Sequence, residues 1–543
     1  MTSSTKPSTQ ADRSSDDVAD DITFYDEIES YCSQLSTAPG GSIDLHVSTK
    51  AATFDVVVER WGGEREVVWK SVDNPGVSTL PPSDADSNGC AWAASLSITA
   101  DASWRSGFYL VTVTAADAAP GRDVSYSGFV VTGNPDDRAS AVLMLSTNTW
   151  NAYNTWGGKS LYTGGKQVSF ERPWSRGMLS RPEVDRDDRK SRPTRWGEEP
   201  DVNGDHFQEY RFAHGYPAAI GSTGWFAHER RFVEWAERAG YRFDYCVSSD
   251  LENPNALDGY GLFIDVGHDE YWSASQRRTL EQHVEQGGNI ASMSGNTMFW
   301  QVRLEGNAMV CHKYSAHDTD PVMAEGREAE MSGMWCDPII ANPEWSLFGA
   351  GSAWGLYSRF GQATPRGSGG YTVYRADHWL VAGTGLRYGD LLGTKHGVVG
   401  YETTGRLLDF DDYQLPITRP HANAPSGKHT VVVAFTPASN VGMGEYPASI
   451  SALSDQGDIE FIASRLHGRV DADSLARVRH GNSVMMVVEP YGRGDGDGDG
   501  DGDGDGQGGG EVVVIGTTDW AFGLGDDSEV QQVTANLLDR YLS

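Results

Sequence analysis

The stretch FIDVGHDEYW, residues 263–272, runs an apolar strand pattern into one imidazole, two carboxylates, a phenol and an indole. Side chains of these types do acid–base work or hold a metal. Glu270 offers hard oxygen donors, and His268, two residues earlier, can ligate a metal or take a proton from water. A second dense stretch, STNTWNAYNTWGGKSLY (146–162), carries Asn148, Asn151, Tyr153, Asn154 and Tyr162. These polar groups on aromatic bodies suit a pocket wall, and as phenolates the tyrosines suit a Lewis-acid metal. A third, NIASMSGN (289–296), ends in Asn296, whose side-chain amide can donate to a developing oxyanion. Each stretch also has a plain structural reading. Asp269 would cap the following helix while His268 and Glu270 satisfy loop amides, and residues 146–162 would form a rigid loop packing its tryptophans.

The elements around these residues decide between the readings. AVLMLS, RFDYCVSS, LFIDVG and NIASMSGN read as short buried strands. WFAHERRFVEWAERAGY and SASQRRTLEQHVEQGG lie between them with helical periodicity, the second with a serine start and a glycine stop. Strand and helix alternating at this spacing predict a parallel sheet covered by helices. In such a sheet ligands bind beyond the carboxyl ends of the strands. LFIDV delivers His268, Asp269 and Glu270 to that edge, NIASMSG delivers Asn296, and AVLML delivers the 146–162 stretch.

The rest of the chain is β-patterned. SIDLHVST, TFDVVVERWG, GFYLVTVTA and VSYSGFVVTG predict an immunoglobulin-like β-sandwich over 41–134, after a disordered acidic N-terminus (1–40). GNPDDR (133–138) reads as a linker into an α/β domain over 139–543, β-rich from about 340. The Gly-Asp run over 494–506 reads as a solvated surface insertion.

Composition removes several function classes. A formal charge of −33 repels nucleic acid and anionic membrane, and no apolar run is long enough for a membrane span. Acids in such excess, with few lysines, point to a halophilic source. The polar N-terminus lacks the apolar core of a secretory signal, so the expected location is cytoplasmic. Five scattered cysteines without a CxxC pair give neither a disulfide framework nor a zinc knuckle. There is no GxSxG elbow, no P-loop and no strand–GxGxxG–helix. DVNGDHFQEY (201–210) starts like an EF-hand loop, but its twelfth position is Phe212 instead of glutamate.

Taken together, TNTWNAYNTWGGKSLY, VSFERPW, DVGHDEYWS, SGNTMFWQVR and GTTDWAFGL, with VCHKY, VAGTGL and VGYE, resemble the N,N-dimethylformamidase large (beta) subunit family from about residue 140 onward. The resemblance implies a glutamine-amidotransferase-like α/β domain that uses no thiol and hydrolyses a small amide. It implies a mononuclear iron held by two tyrosines and a glutamate, which fall on Tyr153, Tyr210 (with Tyr162 next) and Glu270. It places catalytic roles on His268, Asn296, Lys313 and Glu402, and a pocket phenylalanine on Phe435. It also implies a homo-oligomer or a small partner subunit. Where relatives often read Glu-Tyr-Pro, this chain has Glu229, Arg230 and Arg231. That departure favours the competing reading, a non-catalytic protein that binds a small molecule or glycan on the same fold.

Overall fold

A computed structural model describes residues 27–182, 213–217, 219–355, 369–425, 430–439, 456–489 and 509–542. Tyr210, the 201–210 stretch and the Gly-Asp run lie outside these residues. The architecture is mixed α/β, built on one nine-stranded sheet. In chain order its strands are β1 (Ala141–Leu145), β2 (Asp244–Val247), β3 (Leu262–His268), β4 (Asn289–Gly295), β5 (Tyr371–Val373), β6 (Leu391–Leu392), β7 (Thr430–Ser439), β8 (His480–Val488) and β9 (Val512–Val514). Their order in space is β2-β1-β3-β4-β9-β8-β7-β5-β6.

The first five in that order are parallel, and from β9 onward every pairing is antiparallel. The β-rich stretch after 340 therefore extends the parallel sheet sideways. β1 and β3 are buried at every position, Asp265 within β3 included, as mainly apolar strands covered on both faces must be. Alternation along them assigns the faces: Leu143, Leu145, Ile264 and Val266 enter one core, and Val142, Met144 and Phe263 the other. Helix α1 (Thr147–Tyr153) follows β1 directly. α2 (Glu229–Arg238) and α4 (Ser528–Leu542) pack Phe232, Val233, Val530 and Leu537 on the first face, and α3 (Ala274–Glu285) packs Leu280 on the second.

Before the α/β unit, a three-stranded sheet (Ile28–Cys32, Ser42–Thr49, Leu96–Thr99) and a five-stranded sheet centred on Thr53–Trp61 and Gly107–Ala115 share a core of Ile43, Leu45, Val56, Val58 and Val111. This β-unit begins earlier than residue 41, because Ile28–Cys32 pairs antiparallel with Leu45–Thr49. It is fastened to α2. Arg60 makes a two-pronged ion pair with Glu237 at 2.6 and 3.0 Å, and the Trp61 indole donates to Glu234 at 3.0 Å. Phe108 stacks on Trp225 at 4.3 Å. All five cysteines are buried free thiols. No helix among the described residues is long and apolar enough to cross a membrane.

Candidate active site at the carboxyl edge of the sheet

Parallel pairing in register sets His268 opposite Gly295, so β3 ends at His268 and the residue after β4 is Asn296. Gly295 is glycine for a steric reason: a Cβ there would lie 2.4 Å from the Glu402 carbonyl oxygen and 2.5 Å from the Thr518 nitrogen. That close approach brings the Tyr401–Glu402 segment down onto the strand end. Asn296 itself turns out of the strand in the left-handed region at φ 53°.

Three side chains meet there. His268 Nε2 lies 2.5 Å from Glu402 Oε2 and 3.3 Å from Glu270 Oε2, with all three residues buried. Its Nδ1 lies 2.8 Å from the Ser222 carbonyl oxygen, which can only accept, so Nδ1 carries a hydrogen. Nε2, facing two carboxylates, carries the other proton. Burial is the largest influence on the imidazole and acts against this charge, but Glu402 and Glu270 together overcome it and raise the pKa to about 10. Burial likewise pushes the Glu270 carboxyl up, and His268, Lys313 and Tyr162 reverse it, holding Glu270 ionised below the ordinary carboxylate range. Asn296 Nδ2 donates to Glu402 Oε2 at 2.9 Å, and its buried Oδ1 has no partner.

On the other side of Glu270 stands a wall of phenols. Tyr153, from α1, donates to Oε2 at 3.2 Å, and Tyr162 donates to Oε1 and Oε2 at 2.9 and 2.7 Å. The two rings stack at 4.1 Å. The Trp300 indole donates to Oε1 at 2.7 Å, and the Glu270 backbone N–H donates to Thr149 Oγ1 on α1 at 2.9 Å. Burial, then the Glu270 charge, pushes the pKa values of Tyr153, Tyr162 and Tyr271 well above the ordinary phenol value. Tyr401 is pushed the same way, by burial and then Glu402. Lys313 is buried with its ammonium 3.4 Å over the Tyr162 ring.

The expected residues His268, Glu270, Asn296, Lys313, Glu402 and Tyr153 thus converge, while Tyr210 lies outside the described residues. Tyr162 is the second phenol on Glu270. Phe435 is not at the cluster: it stacks on Tyr374 at 4.8 Å and packs beside Phe410. Among the described residues, Phe299 and Phe461 lie nearer the site, 4.7 and 5.9 Å from the Trp300 ring. Asn148, Asn151 and Asn154 serve the structure; Asn148, for one, ties the Tyr271 carbonyl to Gln276 at 3.1 and 3.0 Å. Ser273, not Asp269, caps α3. Arg230 lies away from the phenols, 4.1 Å over the Phe226 ring. The Ser222 carbonyl, a backbone group, left no signal in the sequence; Tyr271, Trp300 and Tyr401 sat inside the quoted motifs without assigned roles.

Donor atoms of His268, Glu270 and Glu402 lie within 4.8 Å of one another, and two phenols adjoin them. Carboxylate and phenol oxygens with one imidazole are the donor set of a hard cation, so these residues fit the metal that the resemblance implies. A buried imidazole–carboxylate–phenol centre at the carboxyl edge of an α/β sheet is the class of site that fold and geometry define. Residues 55–532 match the family described as N,N-dimethylformamidase beta subunit-like, C-terminal, and the chain belongs to that family. The match begins inside the β-unit, well before residue 140. No curated protein matches the chain.

Proposed function

We propose that the chain is a metal-dependent hydrolase of a small amide, with Tyr153, Tyr162 and Glu270 holding the cation and iron as the first candidate. The observation that carries this reading is a pair of phenols, Tyr153 buried and Tyr162 40% exposed, both hydrogen-bonded to one buried, ionised carboxylate. When bound, such a cation polarises the amide carbonyl and acidifies water. The chain's own groups do the rest. His268 Nε2 and Glu402 Oε2 face each other at 2.5 Å. As an acid–base pair they accept a proton from the attacking water and return it to the leaving nitrogen. The water oxygen bonds to the carbonyl carbon and the C–N bond breaks, which yields a carboxylic acid and an amine. Asn296 keeps one side-chain N–H for the oxyanion while the other holds Glu402. The same reading takes the β-unit as immunoglobulin-like, the larger unit as glutamine-amidotransferase-like, and a small partner subunit as part of the assembly.

Metal analysis of protein purified in molar KCl without chelator, beside Glu270→Ala, tests the proposal. The expected result is near-stoichiometric iron in the parent and none in the variant. Iron retained by an active Glu270→Ala protein would sink it.

A further inference from the structure

Three donors stand in line on one side of Glu270. Lys313 Nζ is 2.9 Å from the Tyr271 hydroxyl, that hydroxyl is 2.8 Å from the Tyr162 hydroxyl, and the latter reaches Glu270 Oε2 at 2.7 Å. Their order is not free. An ammonium has hydrogens and no lone pair, so Tyr271 must accept from Lys313. The Tyr271 hydrogen then goes to the Tyr162 oxygen, and the Tyr162 hydrogen to the carboxylate. One lysine thereby sets the polarity of the whole row.

The row is also held in place. Lys313 is buried, and its backbone adopts φ 48°, in a region costly for a residue with a Cβ, while its N–H bonds to the Ser332 carbonyl at 3.0 Å. Tyr271 pairs in register with Trp300, whose indole donates to the other Glu270 oxygen. The lysine ammonium over the Tyr162 ring adds a cation–π contact to the same phenol.

Resting on the metal-site reading above, we propose that Tyr271 is a positioning residue for the cation. Its hydroxyl, oriented by Lys313, donates to the Tyr162 oxygen and keeps that oxygen beside Glu270 as a metal-facing donor. Tyr271 acts only through Tyr162. Were a cation to bind the Tyr162 oxygen, the phenol proton would leave to solvent, and the Tyr271 bond would remain as a hydrogen bond to a charged oxygen, the stronger kind.

The test uses full-length protein, Tyr271→Phe and Tyr162→Phe, loaded with ferric iron. It reads iron affinity by chelator competition, together with the visible phenolate-to-iron charge-transfer band. Tyr271→Phe should weaken iron binding by about tenfold to a hundredfold, the worth of one hydrogen bond to a charged group. It should also move the band to longer wavelength, because an unsupported phenolate is the better electron donor. Tyr162→Phe should remove part of the band's intensity. Lys313→Met, which removes the group that orders the row, should move the band the same way and stands in if Tyr271→Phe does not fold. A parent band that both Tyr271→Phe and Lys313→Met leave in place, at parental affinity, overturns the inference alone. A parent protein that binds iron with no such band overturns the phenolate reading together with it.

Discussion

Glu402 decides what His268 can do. With its Nδ1 hydrogen committed to the Ser222 carbonyl, the imidazole exchanges protons only through Nε2, and the carboxylate at 2.5 Å is the group that takes or supplies them. Glu402→Gln keeps the size and the possibility of a hydrogen bond but removes the base. Turnover of an amide substrate should fall by about 10²- to 10⁴-fold, the usual worth of a positioned acid–base group, with iron content unchanged. Iron lost along with activity would place the cation on His268, Glu270 and Glu402 instead of on the phenols. His268, Glu270 and Asn296 were legible in the sequence because they sit at the ends of strands that patterning could place, whereas Lys313 and Glu402 came only from the family resemblance. The second phenol was not legible. Tyr162 reaches Glu270 because Gly157 and Gly158, at φ 79° and 144°, fold the chain back so that Tyr162 lies on Tyr153. The Gly-Gly pair was visible, but the direction of its turn was not, and Tyr210, outside the described residues, ranked ahead of Tyr162 on its place in the sequence. Phe435 was misplaced for a related reason: which strand lies beside which is set by pairings remote in sequence.

At the scale of elements, α3 holds the carboxyl edge in place. Its N-cap, Ser273, accepts from the Gln276 N–H at 3.2 Å, and Gln276 Oε1 in return accepts from the Ser273 N–H at 2.8 Å, a reciprocal capping box. The same Gln276 oxygen accepts from Asn148 of α1, and Ser273 also bonds to Glu252, so one cap links α3, α1 and the turn after β2 just beyond Glu270. Ser273→Ala should therefore cost about 1 kcal/mol or somewhat more in a urea titration, the upper part of the range for an N-cap because a second partner is also lost. A loss indistinguishable from zero would mean the cap is dispensable. The helix and its serine start were readable from SASQRRTLEQHVEQGG, as were the parallel strands from their apolar runs. The antiparallel half of the sheet was readable only as β pattern. β5 to β8 come from distant segments, and their order outward from β9, which only β8 pairs directly, rests on long-range packing that periodicity does not encode.

At the scale of the molecule, net charge and internal pairing act against each other. A formal −33 on one chain is self-repulsive, and many of its ion pairs lie at the surface, as Arg469–Asp473 and Arg477–Asp473 do, where each is worth little. The seam between the β-unit and the α/β unit is different. Arg60 and Glu237, at 7% and 17% side-chain exposure, are sheltered from mobile ions. Salt therefore removes the repulsion without dissolving the join. At molar ionic strength the Debye length is about 3 Å, shorter than the spacing of most surface acids, whereas at 0.1 M it is about 10 Å and the repulsion persists. The melting temperature should accordingly climb by several degrees or more as KCl rises from about 0.1 M to 2 M, with the two units unfolding together because the seam survives. NaCl should act like KCl if screening is the cause, and a scan in each salt, read by calorimetry, measures it. A melting temperature that stays flat or falls would mean that the acidic surface is no adaptation to salt.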